Sequence, residues 1–307
     1  MCREVYLVSK IKIAVLGSGN IGSDLVERLL LDNEFEVVAL VGRDKNSKGL
    51  ERFVGRVPII LSDGINGFKQ YVSQIDGIFD ATSAQSAAEN WKMAHENNKW
   101  LIDLTPSKIG TPFVPNIAGI VPGIDLSEDY SHNYSMITCG GQAAAPIINA
   151  LTLQMKKINS TEVSSSIAAK SAGIATRLNM DQYVDTTEEL ISNITRCMNS
   201  KVILILNPSS PEVPMRTTIT VNGTGTKLSA VAREVDVAIR KMKDFVPGYD
   251  LIGKVIELDP QTYSVTIRVS GAGYFLPSFA GNLDIINAAA VATARMHVKK
   301  HLACLAL

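Results

Sequence analysis

Cysteine is scarce in this chain, four in 307 residues, at positions 2, 139, 197 and 304 and with no C-x-x-C pair. That pattern excludes a disulfide framework and a thiolate-bound structural zinc, and it leaves free thiols suited to a reducing compartment. Net charge is missing as well, because 30 basic residues balance 30 acidic ones. Without a basic excess the chain has no general pull toward nucleic acid or an anionic membrane surface, so neither partner is expected. No apolar run approaches the roughly 18 to 20 residues of a membrane helix. The opening "MCREVYLVSKIK" carries charge at Arg3 and Glu4 and has too short an apolar stretch for a secretory leader. A cytoplasmic protein that holds a small, neutral or anionic ligand is the expectation. Internal repeats and low-complexity tracts are also lacking.

What is present is an ordinary globular balance, 46% hydrophobic and 20% charged, with enough length for two modest domains. The first half alternates strand-like and helical runs. "KIKIAVLG" (10–17), "FEVVALVG" (35–42), "GIFDAT" (77–82) and "WLIDLT" (100–105) are short, apolar and strand-like, and helical spacing fills 23–31 and 86–98 between them. This is the β-α-β rhythm of a parallel sheet covered by helices. "YSMITC" (134–139) predicts one more strand, feeding a helix that begins with "GQAAAPI". The second half predicts strands at 162–171, 201–207, 216–223 and 263–271, with helices over 186–198 and 229–246. Polar alternation in those strands suggests an open mixed or antiparallel sheet, a form that often serves as a dimer face. The fold expected is therefore α/β, with a dinucleotide-binding domain at 1–135, a catalytic and dimerisation domain at 136–281, and a last helix, 282–307, that packs back on the first domain.

"GSGNIG" matches G-x-G-x-x-G with Gly17, Gly19 and Gly22, directly after a strand and at the opening of a helix. The first glycine permits a tight turn and the second lets backbone approach a pyrophosphate. The third lets helix and sheet pack closely, and the helix N-terminus offers free N–H groups to the anion. An acid, Asp44, follows 22 residues on from Gly22, where a carboxylate can hold the ribose hydroxyls of NAD. Arg43, Lys45 and Lys48 beside it keep NADP open, because cations there suit a 2′-phosphate.

Cys139 lies where a strand passes into a helix, in "MITCGGQAAAP". A helix start stabilises a thiolate and lowers its pKa, and Gly140 and Gly141 leave room beside the sulfur for a substrate carbon. A nucleophilic thiol in a chain that also binds a nicotinamide is the pair needed to oxidise an aldehyde through a thioester.

Segments "GSGNIGSDL", "IDLTPSKIGTPFVP", "ITCGGQAAAPI", "KSAGIATR", "LNPSSPEVPMR" and "GAGYFLPSFAGNLDIINAAA" together resemble the acylating acetaldehyde dehydrogenases that work with 4-hydroxy-2-oxovalerate aldolase. The resemblance runs in order from about residue 11 to 292. It implies a Rossmann domain followed by an α/β dimerisation domain, of the semialdehyde-dehydrogenase-like kind. It also implies a homodimer, complexed with the aldolase, that converts acetaldehyde or a short aliphatic aldehyde, NAD and coenzyme A to acyl-CoA. By the same resemblance Cys139 falls on the acyl-thioester cysteine, Ser18, Gly19, Asn20 and Ile21 on the phosphate loop, and Asn282 on an asparagine beside the nicotinamide. Ser171, Ala172, Gly173, Arg177 and Asn179 fall on a second cofactor loop. Two departures stand out. Thr217 takes the place of an acid that the family uses to help deprotonate cysteine or CoA, and threonine is no base at neutral pH. Either the helix dipole, a water or another acid such as Glu212 or Asp284 then takes over, or activity is weaker and shifted to higher pH. Ile174 and Ala175 replace a Pro-Gly pair in the second loop.

Other enzymatic and non-enzymatic readings remain. One is a semialdehyde dehydrogenase with phosphate or water as acyl acceptor, and another is a non-catalytic dinucleotide-binding partner of an aldolase. No metal is expected: His297 and His301 share a helix face, but "HVKKH" lacks a glutamate and its lysines repel a cation, so a solvated basic helix end fits better. His95 and His132 are weak candidates for a general base, the first on a polar helix and the second in a loop.

Overall fold

The computed structural model describes residues 10–305, so Cys2 and the outer ends of the expected terminal segments lie outside the described residues. In chain order the elements of the first half are β1 (Ile11–Leu16), α1 (Asn20–Leu30), β2 (Phe35–Val41), α2 (Lys48–Glu51), β3 (Ile59–Leu61), α3 (Ile65–Phe68), β4 (Gly77–Asp80), α4 (Ala84–Glu96), β5 (Trp100–Asp103), β6 (Thr111–Pro112) and β7 (Asn133–Ser135). The second half contains α5 (Cys139–Thr152), β8 (Lys157–Ala168), α6 (Ile174–Leu178), α7 (Met180–Thr195), β9 (Ser200–Asn207), β10 (Met215–Thr224), α8 (Leu228–Lys243), β11 (Tyr249–Asp259), β12 (Thr262–Val269) and α9 (Gly281–Leu305).

Strands of the first half form one seven-stranded sheet in the order β3-β2-β1-β4-β5-β7-β6, with every pairing parallel. β1 from Ile13 onward and β4 as far as Phe79 are apolar and buried because both their faces are covered. The chain winds outward from β1 in opposite directions, so a crevice opens beyond the carboxyl ends of β1 and β4, the usual place for a ligand in such a sheet.

The second sheet has five strands in the order β11-β12-β10-β8-β9. Its pairings are antiparallel except β8 with β9, which makes it mixed. β10 alternates buried and open positions along its length, the signature of a sheet covered on one side. Val163, Ile219, Val265 and Ile267 turn inward against α5 and α8. On the other face Thr218 meets Thr266 at 3.0 Å and Thr220 meets Ser264 at 3.1 Å. Toward the edge strands Ile203, Ile205, Ile256 and Leu258 stand exposed.

α5 is buried along nearly its whole length and contributes Ala145 to the core under the first sheet and Ile147 and Leu151 to the core under the second. α9 is apolar on more than one side for the same reason: Ile286, Ala290 and Ala294 face the first core, Ile285 and Ala288 the second. Its Arg295 reaches across to Asp32 at 2.8 Å and also pairs with Glu34.

Three sequence expectations change. The strand expected over 134–139 ends at Ser135, because Ile137 turns to φ 63° and takes the chain out of the ladder. β11 escapes a sequence reading because Gly253, at φ 71°, and register shifts along its pairing with β12 break its periodicity. His297 is no part of a solvated helix end. It is fully buried, bonded to Tyr134 Oη at 3.2 Å and to the Tyr130 carbonyl at 3.0 Å, with Trp100 edge-on to it, because the last helix turns this face inward.

Candidate active site

The loop after β1 is shaped by its three glycines. A Cβ on Gly17, which lies at φ 103°, would meet the Ala81 carbonyl oxygen at 2.3 Å, and one on Gly22 would meet the Gly17 oxygen at 1.9 Å. One on Gly19 would meet nothing, since that position faces open space. α1 begins without a side-chain cap and without an acid in its first turn, so its leading N–H groups and positive end are free for an anion. This cradle fits a dinucleotide pyrophosphate.

A cleft of about 890 Å³ runs from that loop toward the second sheet. Gly17, Ser18, Gly19, Asn20 and Ile21 line it, as do Cys139, Ser171, Ala172, Gly173, Arg177, Asn179 and Asn282. Gly22 does not, being packed beneath the loop. Asp44 does not either: its carboxylate accepts the Asn46 N–H at 2.8 Å, while Arg43 and Asp63 line the cleft instead. That contact closes an Asx turn just beyond β2 and engages one oxygen of the expected ribose acid. Asn282 is 5% exposed and its Oδ1 is buried with no partner among the described residues, an acceptor open to an amide N–H from a ligand.

The loop between β8 and α6 is held by its own side chains. Ser171 Oγ donates to the Ala168 carbonyl at 2.8 Å, and Arg177 donates to the carbonyls of Ala169 at 2.6 Å and Ala172 at 3.2 Å. The Arg177 guanidinium therefore shapes the loop. Ile174 stands exposed at the rim, and the side chain of Ala175 lies outside the described residues.

At the far end of the cleft β7 gives way to α5. Thr138 caps the helix: its Oγ1 accepts the Gly141 N–H at 2.8 Å, and its carbonyl takes the Gln142 N–H at 2.9 Å. Gln142 ties the turn down by donating to the carbonyls of Phe113 and Met136 at 2.7 and 3.1 Å. With those donors used, the N–H groups of Cys139 and Gly140 are left to face the sulfur. The expected depressed thiol pKa is nevertheless corrected. Burial pushes the Cys139 thiol up to about 11, against the lowering effect of Tyr183 and of those two N–H groups. Low-dielectric surroundings disfavour the thiolate more than one helix start favours it.

Tyr183 was not singled out by the sequence, yet its Oη lies 3.8 Å from Cys139 Sγ and its ring lines the cleft. One tyrosine in a helical run carries no local signal for this contact. Thr217 is buried with its Oγ1 3.0 Å from Ser165 Oγ, and it does not line the cleft. The substitute acids are engaged by cations and do not line the cleft: Glu212 pairs with Lys170 and Asp284 with Arg28. His95 bonds Ser131 at 3.1 Å and His132 bonds Thr111 at 3.0 Å, both away from the cleft.

Comparison with known proteins decides the family. Residues 139–277 match the family model described as prokaryotic acetaldehyde dehydrogenase, dimerisation. Acetaldehyde dehydrogenase of Pectobacterium atrosepticum is 38% identical, over 94% of this chain and 96% of its own. That of Geobacillus stearothermophilus is 37% identical, over 96% and 99%. The chain belongs to the acetaldehyde dehydrogenase family. Among solved structures, aspartate semialdehyde dehydrogenase II from Vibrio cholerae, complexed with ASA, covers 94% of this chain and 99% of its own, with a TM-score of 0.61 and 14% identity. That likeness gives this acetaldehyde dehydrogenase family member its fold class, an α/β chain of the semialdehyde dehydrogenase kind.

Proposed function

We propose that this chain oxidises acetaldehyde, or another short aliphatic aldehyde, to an acyl-CoA with NAD and coenzyme A, through a thioester on Cys139. One observation carries the reading: the sulfur at the start of α5 opens on the same cleft as the glycine cradle and Asn282. Cys139 Sγ adds to the aldehyde carbon, and the N–H groups of Cys139 and Gly140 stabilise the oxyanion that forms. Bound NAD supplies the hydride acceptor. Collapse of the oxyanion leaves a thioester on Cys139, and the coenzyme A thiol then takes the acyl group and frees the sulfur. Asn282 holds the carboxamide of the coenzyme, and the first turn of α1 holds its pyrophosphate. NADP is a second reading for the coenzyme, favoured by Arg43 lining the cleft where Asp44 does not. The kcat/KM ratio of the two coenzymes, in the wild type and in Arg43→Ser, separates them.

Two copies associate through the outer face of the second sheet, where exposed isoleucines flank a band of threonines. An aldolase releasing acetaldehyde from 4-hydroxy-2-oxovalerate is the partner that the resemblance points to, and co-purification tests it. The central test is NADH formation from acetaldehyde with and without coenzyme A. Activity that needs coenzyme A and is lost in Cys139→Ala supports the reading. Activity with phosphate in place of coenzyme A, or dinucleotide binding without turnover, overturns it.

A further inference from the structure

The sulfur faces an unsolved problem of ionisation. Burial works against the thiolate, Thr217 offers no carboxylate, and Glu212 and Asp284 are committed to cations elsewhere. Among the described residues the Tyr183 hydroxyl does reach Sγ, at 3.8 Å. Its closeness is built into the helix start, since a Cβ on Gly140 would lie 2.0 Å from that oxygen. Ser165 hydrogen-bonds the Tyr183 hydroxyl, and Thr217 Oγ1 lies 3.0 Å from Ser165 Oγ on the neighbouring strand. A line of three hydroxyls therefore ends at the sulfur.

We propose that Tyr183 is a catalytic residue whose hydroxyl donates a hydrogen bond to Cys139 Sγ and holds it as the attacking thiolate, with Ser165 and Thr217 as positioning residues that aim that donor. The inference rests on Cys139 being the acyl carrier. A threonine at position 217 is able to donate along the line toward the sulfur, whereas a carboxylate there only accepts and draws hydrogens away from it. The thiol proton leaves to water in the cleft, and the phenol keeps its own. Burial, and then the nearby sulfur, hold Tyr183 ionisation well above the ordinary phenol value, so the group stays a donor while the thiol titrates. When coenzyme A attacks the thioester, the same hydrogen bond stabilises the departing sulfur.

The test is the rate of iodoacetamide alkylation of Cys139 against pH, read on its peptide by mass spectrometry in the full chain. Tyr183→Phe fills the same space without the donor. It is expected to slow alkylation at neutral pH about tenfold and to raise the midpoint by about one pH unit. Ser165→Ala and Thr217→Val are expected to shift it the same way by less. A Tyr183→Phe profile superimposed on that of the wild type, in protein that still binds NAD, overturns the proposal. If Tyr183→Phe no longer binds NAD, Ser165→Ala decides, a raised midpoint supporting the proposal and an unchanged one overturning it. Turnover without coenzyme A defeats the acyl-transfer reading alone and leaves these profiles unchanged, so the two failures are distinguishable.

Discussion

Ile137 sits at φ 63°, a left-handed conformation that a β-branched side chain adopts at a cost of about 1–3 kcal/mol. The strain is held by Gln142 and by the Thr138 cap, and its result is a sulfur delivered to the cleft instead of to the sheet. With the thiol pushed up to about 11, alkylation of coenzyme-free protein should climb about tenfold per pH unit from neutrality to about pH 10. A plateau below pH 9 on the same assay would contradict the burial argument. Gly140→Ala tests the neighbouring contact. Its methyl group would displace the Tyr183 hydroxyl, so kcat should fall about tenfold or more while the affinity for NAD, measured by titration, stays within about twofold.

Helix α9 shows how an element with weak patterning is read wrongly. Its C-terminal half carries lysines and histidines that suggest a wet surface, yet His297 is fully buried and burial pushes its imidazole down to about 4. The unfolded chain takes up a proton near pH 6.5 that the folded one refuses until about pH 4, so this group removes stability as pH falls between those values. His297→Gln keeps hydrogen-bonding capacity without the titration. Between pH 7 and 5 urea unfolding should show the wild type losing about 2 kcal/mol more than the variant. The comparison must be between variants, because Asp103 acts in the opposite sense. Buried on β5 in register with Asp80 of β4, its carboxyl is raised to about 7 by burial and then by that neighbouring charge. Its contribution is full below about pH 4 and is lost as pH rises through about 7.

At the scale of the whole molecule, the site exists only because α5 and α9 each pack on both cores, which brings the glycine cradle of the first sheet to the cysteine. The second sheet leaves its outer face open, and if the proposed pairing uses that face, Ile203→Lys with Ile205→Lys should shift the sedimenting species toward monomer, with NAD binding kept. Much of this was legible in the residues. Apolar runs at strand spacing predict the parallel sheet. "GSGNIG" predicts its loop, because the left-handed turn at Gly17 and the packing of Gly22 on the Gly17 carbonyl are needs of the loop itself. Strand-to-helix punctuation marks Cys139 in the same local way. The ionisation of that sulfur, the burial of His297 and the approach of Tyr183 were not legible. Each depends on what surrounds a side chain in three dimensions, and solvation and the contacts of residues 44 positions apart, as Cys139 and Tyr183 are, leave no periodic trace in the chain.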